Sequence, residues 1–269
     1  CEPAGKDHCT PNGSYDTGLE LSRKIYGYEG PLKVPYEWLR LGDTDMGTSK
    51  GIAITPRKYL DMAEPEIIRM LIYQTNPDRH ISFRFEELPQ YYNELERLER
   101  VYFGIEKGAS PEEEKEIKYI FPIIQSKEVP IKYSSKLSFK FLTQLAQLQS
   151  ILGEDGIYQK ATDFMQREKF EIIIPKDGFM KKIRRAYNWV KEMEATINNE
   201  KDPETLKKLK TKVEIFTFPE TVSNEIKQSL EPIQKDAFKL FLNKIKPLTE
   251  FSEENMNEII MAVQKESNI

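Results

Sequence analysis

Apolar and polar positions change rhythm twice along this chain. In about the first 50 residues, short apolar runs are punctuated by Gly5, Gly13, Gly18, Gly27, Gly30, Gly42, Gly47 and Gly51, as in loops joining the strands and helices of an α/β sheet. Leu19, Leu21 and Ile25 follow Asp16 and Thr17 near helical spacing, which predicts a helix within Tyr15–Tyr26, and Leu32–Leu41 reads as a strand. Thr55-Pro56 is a helix start, because threonine caps free amides and proline at the first helical position gives up no needed donor. Glu64-Pro65 repeats that start, with Ile67, Ile68, Leu71 and Ile72 on one face and a stop before Asn76-Pro77. His80–Phe85 alternates like a short strand.

The steps of three and four from Leu88 through Tyr91, Tyr92, Leu95 and Leu98 to Tyr102 predict a helix that Gly104 ends. Glu94, Glu96, Arg97, Glu99 and Arg100 are expected largely outside it. Lys107–Glu116 is charged and lacks large apolar residues, so it is the candidate linker. Beyond about residue 135 the pattern is helical throughout. Phe139, Leu142, Leu145, Ala146 and Leu148 form one apolar stripe, and Ile226, Leu230, Ile233, Ala237, Phe241 and Ile245 form another. Ile259–Val263 marks a last helix. No fixed period recurs, which favours a helical bundle or cage over a solenoid.

Charge and composition narrow the function classes. With 269 residues and a net charge of −4, the chain is expected to be globular with two or three domains, and its overall field does not announce a nucleic-acid binder. A polyanion would need a local patch. Lys176, Lys181, Lys182, Arg184, Arg185 and Lys191 supply one candidate, whose plainer reading is a solvated helix face. No run reaches the roughly 18 to 20 apolar residues of a membrane span, so a cytoplasmic protein with no membrane partner is expected. Cys1 and Cys9, with His8 and His80 as the only histidines, offer neither a disulfide framework nor standard metal-ligand spacing. No metal site and no tightly bound cofactor are expected.

Two loops could carry chemistry. Glu2–His8, followed by Gly13–Gly18, sets charged and ring side chains among glycines, as strand-end loops do around ligands; the plain alternative is an ordinary loop contact. Met46–Gly51 places Lys50 and the hydroxyls of Thr48 and Ser49 where they could wrap anionic oxygens, although it lacks the Walker order and could be a surface turn.

The run Cys1–Gly18 (CEPAGKDHCTPNGSYDTG), the strand Tyr36-Glu37-Trp38, the loop Met46–Gly51 and Glu94–Gly104 (ELERLERVYFG) resemble, in order and spacing, landmarks of class I lysyl-tRNA synthetases. The likeness covers about the first 105 residues and then thins, with Phe139–Gln149 and Arg185–Lys191 as later anchors. It implies an α/β Rossmann-type catalytic remnant at 1–52, a stem-contact region at 53–108, and a mostly α-helical anticodon-binding domain, incomplete at its C-terminus, at 109–269. The implied activity is ATP-dependent lysine activation and transfer to tRNA(Lys), with Mg2+-ATP as cosubstrate and the protein a monomer.

By the same resemblance Met46–Gly51 is the counterpart of the KMSKS loop. Lys50, Ser49 and Thr48 act on the triphosphate there, with Met46, Gly47 and Gly51 shaping the loop. His8 and Tyr36 line the lysine pocket with Lys6, Asp7 and Asp16 near its floor, unless His8 and Tyr36 are merely structural. Arg184, Arg185 and Trp189 face the tRNA, with the core as the other place for Trp189. Three positions depart from the signature: Asp45 replaces its first lysine, Gly47 its serine and Ile52 the following asparagine. Lys50 is left as the sole cation of the loop. No HIGH-type motif is present, so an interior fragment, inactive alone, is expected. The alternatives are an inactive tRNA-binding paralogue, a glutamyl-type class I fragment, and a helical protein-interaction module.

Overall fold

The computed structural model describes residues 1–46, 54–216, 221, 223–248 and 253–267. They divide into two compact units, Cys1–Ile215 and Phe216–Ile269. The described residues are mostly helical, with two small sheets.

In the first unit, β1 (Glu2–Gly5) runs parallel to β2 (Lys33–Tyr36), with Glu2 opposite Lys33 and Gly5 opposite Tyr36. A 3-10 turn, Lys6–Cys9, and helix α1 (Ser14–Lys24) connect them. Gly13 at the start of α1 has no room for a side chain, since a Cβ there would meet His8 O at 2.7 Å and Thr10 O at 2.8 Å. The predicted single strand Leu32–Leu41 is two strands, because the chain changes partner at Glu37-Trp38. Glu37 N donates to Pro77 O, and Trp38 O accepts from Ile81 N. Strand β3 (Leu39–Leu41) therefore joins a different sheet, antiparallel to β4 (Thr44–Asp45) and parallel to β5 (Ile81–Phe83).

Between β4 and β5 lie α2 (Pro56–Leu60) and α3 (Pro65–Gln74). Thr55 caps α2 as expected, its hydroxyl accepting from Lys58 N at 3.2 Å. The buried face of α3 is Ile67 and Met70, and Ile72 is half exposed, so the anticipated stripe is rotated toward Met70. Helix α4 (Leu88–Tyr102) has the expected bounds, and Gly104 follows with φ of 72°. Glu99 on it was expected outside, yet it is 2 % exposed and accepts from Lys136 Nζ. Its position one residue after the core-facing Leu98 and two before Val101 carries it inward, and Lys136 makes that burial tolerable.

The candidate linker is instead largely helix. Ser110 caps α5 (Pro111–Ile124), accepting from Glu113 N, and three glutamates occupy its first turn, where the helix dipole favours negative charge. Arg97 of α4 then binds Glu113 at 2.8 Å.

Two long helices complete the core, α6 (Phe139–Arg167) and α7 (Lys176–Asn199), followed by the shorter α8 (Pro203–Lys212). Gly153 breaks α6 with φ of 68° and ψ of 176°, a conformation open essentially to glycine alone. Tyr92 stacks on Phe139 at 4.3 Å, and Phe139 meets Trp189 edge-on at 5.4 Å.

In the second unit the single stripe expected from Ile226 to Ile245 is two helices, α9 (Asn224–Ser229) and α10 (Pro232–Ile245). The extended backbone of Leu230 and a Glu231–Gln234 capping box force the break. Helix α11 (Glu253–Ser267) packs on α10, joined by Lys244–Glu266 at 2.7 Å.

Candidate active site

The end of β1 gathers the first set of site residues. Parallel pairing sets Gly5 opposite Tyr36, and the His8 ring lies over Gly5, with His8 Cδ2 3.8 Å from where a Cβ would be, an ordinary contact distance. His8 and Tyr36 thus flank the same glycine, and the Tyr36 ring is half exposed. His8 Nδ1 lies 3.0 Å from Ser14 Oγ at the start of α1, which orients the ring.

The charged members each have a place in the same cluster. Asp16 accepts from Lys33 Nζ and from Asn12 N, both at 3.2 Å. The Lys33 hydrogen bond, seconded by that backbone amide, holds its carboxyl below the ordinary carboxylate range. Lys6 is tied to Glu37 at 2.7 Å, so its ammonium serves as a strut between the turn and the next strand. Asp7 is exposed, and its carboxylate has no partner among the described residues. A ligand at this strand end would meet an imidazole, a phenol, one free carboxylate and one neutralised one. That set suits the polar atoms and aliphatic stem of a small amino acid.

The second set is the loop leaving β4. Met46 is half-buried at its start, while Gly47, Thr48, Ser49, Lys50 and Gly51 lie outside the described residues. Asp45 precedes the loop and is bound by Arg40 Nε at 2.6 Å. The end of β1 and Met46 belong to the first unit, and the β2–β3 link joins the two sheets that carry them.

The third set, on α7, separates. Trp189 is 2 % exposed, with Nε1 donating to Phe85 O at 2.7 Å. It is a core residue, and the expectation that its ring faces RNA is corrected: position 189 lies on the Ile183–Ala186–Val190–Met193 face that packs inward. Arg185 is occupied by Leu60 O and the Glu64 carboxylate. Lys182 binds the same carboxylate at 3.0 Å, Lys176 binds Asp155, and Lys191 binds Glu194. Arg184 is left exposed beside Tyr187, which is 41 % exposed. Most of the basic run is therefore neutralised within the protein.

Glu37 and His80 adjoin the cluster at the end of β1, and the sequence pattern does not single them out as candidates. The available signal was a lone carboxylate between two aromatic residues at a strand end, and the second of only two histidines. Among the described residues, no three His, Cys, Asp or Glu side chains converge as a metal site would, and no helix is long and apolar enough to cross a membrane.

Comparison with known proteins bears on the same segments. Residues 1–127 match the family described as tRNA synthetases class I (K). A lysine–tRNA ligase of Methanocaldococcus jannaschii is 29 % identical over 274 residues, covering 98 % of this chain and 48 % of the relative. One of Pyrococcus furiosus is 30 % identical over 273 residues, covering 100 % of this chain and 47 % of the relative. One of Aeropyrum pernix is 34 % identical over 199 residues, covering 71 % and 35 %. The chain thus spans about half the length of the first two of these relatives, or less of the third. It is a relative of the class I tRNA synthetases of the lysine type, and residues 1–127 carry that family's pattern.

Proposed function

We propose that the intact protein is a lysine-tRNA ligase that forms lysyl-adenylate from lysine and Mg2+-ATP and passes the lysyl group to tRNA(Lys). The observation that carries this reading is the cluster at the end of β1. His8 and Tyr36 flank Gly5 with Asp16 and the Lys6–Glu37 pair beside them, in a segment matching lysine-type synthetases. His8 and Tyr36 would contact lysine, and Asp7 would supply a carboxylate for one of its ammonium groups. Lys50, with Thr48 and Ser49, would stabilise the α-phosphate as negative charge builds during attack by the lysine carboxylate.

In this reading residues 1–52 are a Rossmann-type portion of the catalytic domain, with Met46, Gly47 and Gly51 framing the ATP loop. Residues 53–108 contact the tRNA stem, and 109–269 form part of a helical anticodon-binding domain. Arg184, with Lys181, is an exposed α7 cation open to a phosphate, and Arg185 would need to leave Glu64 to join them. The protein acts in the cytoplasm as a monomer. The inactive-paralogue reading rests on the charge of Asp45 and on the lack of a HIGH-type motif; the pairing of Asp45 with Arg40 weakens the first of these grounds.

The test is lysine-dependent ATP–pyrophosphate exchange by the intact protein. Wild type should exchange, and Lys50→Ala should lower the rate by about 10²-fold, the scale of one preorganised donor. Exchange with glutamate and not lysine, or no effect of the substitution, overturns the assignment.

A further inference from the structure

The two loops of the proposed site stand on different sheets, so something must fix their spacing. Backbone bonds supply part of it, through Glu37 N to Pro77 O at 2.9 Å and Ile81 N to Trp38 O at 3.1 Å. Side chains supply the rest at one residue. Glu37 Oε1 accepts from Lys6 Nζ at 2.7 Å, and Glu37 Oε2 lies 3.3 Å from His80 Nδ1. The Glu37 side chain is 17 % exposed, and both Oε2 and Nδ1 are buried with no hydrogen-bond partner. Lys6 opens the turn that carries His8, and His80 immediately precedes β5, the strand paired with β3, from which β4 and the Met46 loop depart.

We propose that Glu37 is a positioning residue, which fastens the Lys6–Cys9 turn through one carboxylate oxygen and the His80 end of β5 through the other. This rests on the lysine-site reading above and adds to it a residue that touches neither substrate. The hydrogen bond from Lys6 keeps the Glu37 carboxyl below the ordinary range, so it is ionised at neutral pH. A bare imidazole nitrogen facing a carboxylate oxygen would be repelled, so Nδ1 carries the proton, as the Nδ1–H tautomer or the imidazolium. At 3.3 Å, without hydrogen-bond geometry, the His80 contact is the looser of the two and acts as an electrostatic one.

Glu37→Gln keeps the shape and removes the charge. Hydrogen exchange on the 269-residue chain should show the amides of Lys6–Cys9 and of His80–Ile81 exchanging about tenfold faster, with α4 and α7 unchanged. Lys6→Met should reproduce the effect at Lys6–Cys9, and the double variant should add nothing there. In the intact protein, Glu37→Gln should raise the KM for lysine about tenfold, with kcat within threefold. Unchanged exchange, a response on one side only, or additive effects in the double variant overturn the proposal. If intact wild type fails to use lysine, the proposed function is what falls, while the exchange measurement on the chain still decides the role of Glu37.

Discussion

Arg40 and Asp45 are register partners across the β3–β4 hairpin, and Arg40 Nε donates to Asp45 Oδ1 at 2.6 Å. The carboxylate standing where lysine-type synthetases are expected to have a cation is therefore matched by a guanidinium on the neighbouring strand. Removing the arginine unmasks it. An unpaired carboxylate about 8 Å from a phosphate costs about 2 kcal/mol at an effective dielectric near 20, before salt screening. Arg40→Ala in the intact protein should raise the KM for ATP about fivefold at low ionic strength, and less at high salt. Asp45→Asn in that background should restore it. Steady-state exchange kinetics at two salt concentrations read this out, and an equal KM in all variants would show that the hairpin lies away from the triphosphate.

Glu99 carries a second prediction. Its carboxylate is 2 % exposed and depends on Lys136, whose side chain is 42 % exposed. Lys136→Met strands a buried charge and should cost about 2 to 3 kcal/mol, below the usual range for breaking a buried pair because the lysine end is partly in water. Glu99→Gln with Lys136→Met should recover more than half of that. Urea unfolding of the two variants gives the comparison; equal losses would mean that Glu99 finds another partner.

The break in α6 gives a third. Gly153→Ala forces a side chain into a backbone region nearly closed to L-residues, although nothing lies within 4 Å of the position a Cβ would take. The loss should be about 1 to 3 kcal/mol, of conformational and not steric origin. Thermal unfolding should show a lower Tm, and unchanged stability would mean that the helix straightens through the site.

Acid sensitivity follows from Glu64. Burial pushes its carboxyl up, but Lys182 and Arg185 outweigh burial and hold it below the ordinary range. A carboxyl that ionises more readily in the folded chain stabilises the fold above its unfolded-state value. That contribution is lost as pH falls through the folded-state value. Urea stability should therefore drop as pH falls below about 4.5, the ordinary glutamate value, and drop by less in Glu64→Gln. The same drop in both proteins would assign the acid response to other groups.

Much of this architecture is readable from residue patterns where local chemistry decides. Leu88–Tyr102 has a strong 3.6-residue period with a glycine beyond its end, and Thr55-Pro56 states its own helix start. The Cys1–Gly18 block is legible as a candidate site because its glycines and charged residues stand in a family-specific order, and Gly13 does make room for the backbone of His8 and Thr10. Where long-range pairing decides, the pattern is silent. Nothing local says that Leu32–Leu41 changes sheets at Glu37, or that Lys136 waits for Glu99. The charged Lys107–Glu116 stretch looks like a tether until Arg97 gathers Glu113, and a basic run looks available until Glu64 takes two of its cations. The candidate loop from Gly47 to Gly51 is legible through its likeness to the family signature and lies outside the described residues.

The burial of Trp189 has an optical consequence. The chain has only one other tryptophan, Trp38, which is 43 % exposed at the junction of the two sheets. One indole sits in an apolar environment with its N–H bonded to a carbonyl, and should emit toward the blue. The other meets water and should emit toward the red, quenchable by iodide. A single emission spectrum thus contains two gauges, one for the integrity of the helical core and one for events at the sheet junction. Substrate titrations can follow the red component while the blue component certifies that the fold is intact.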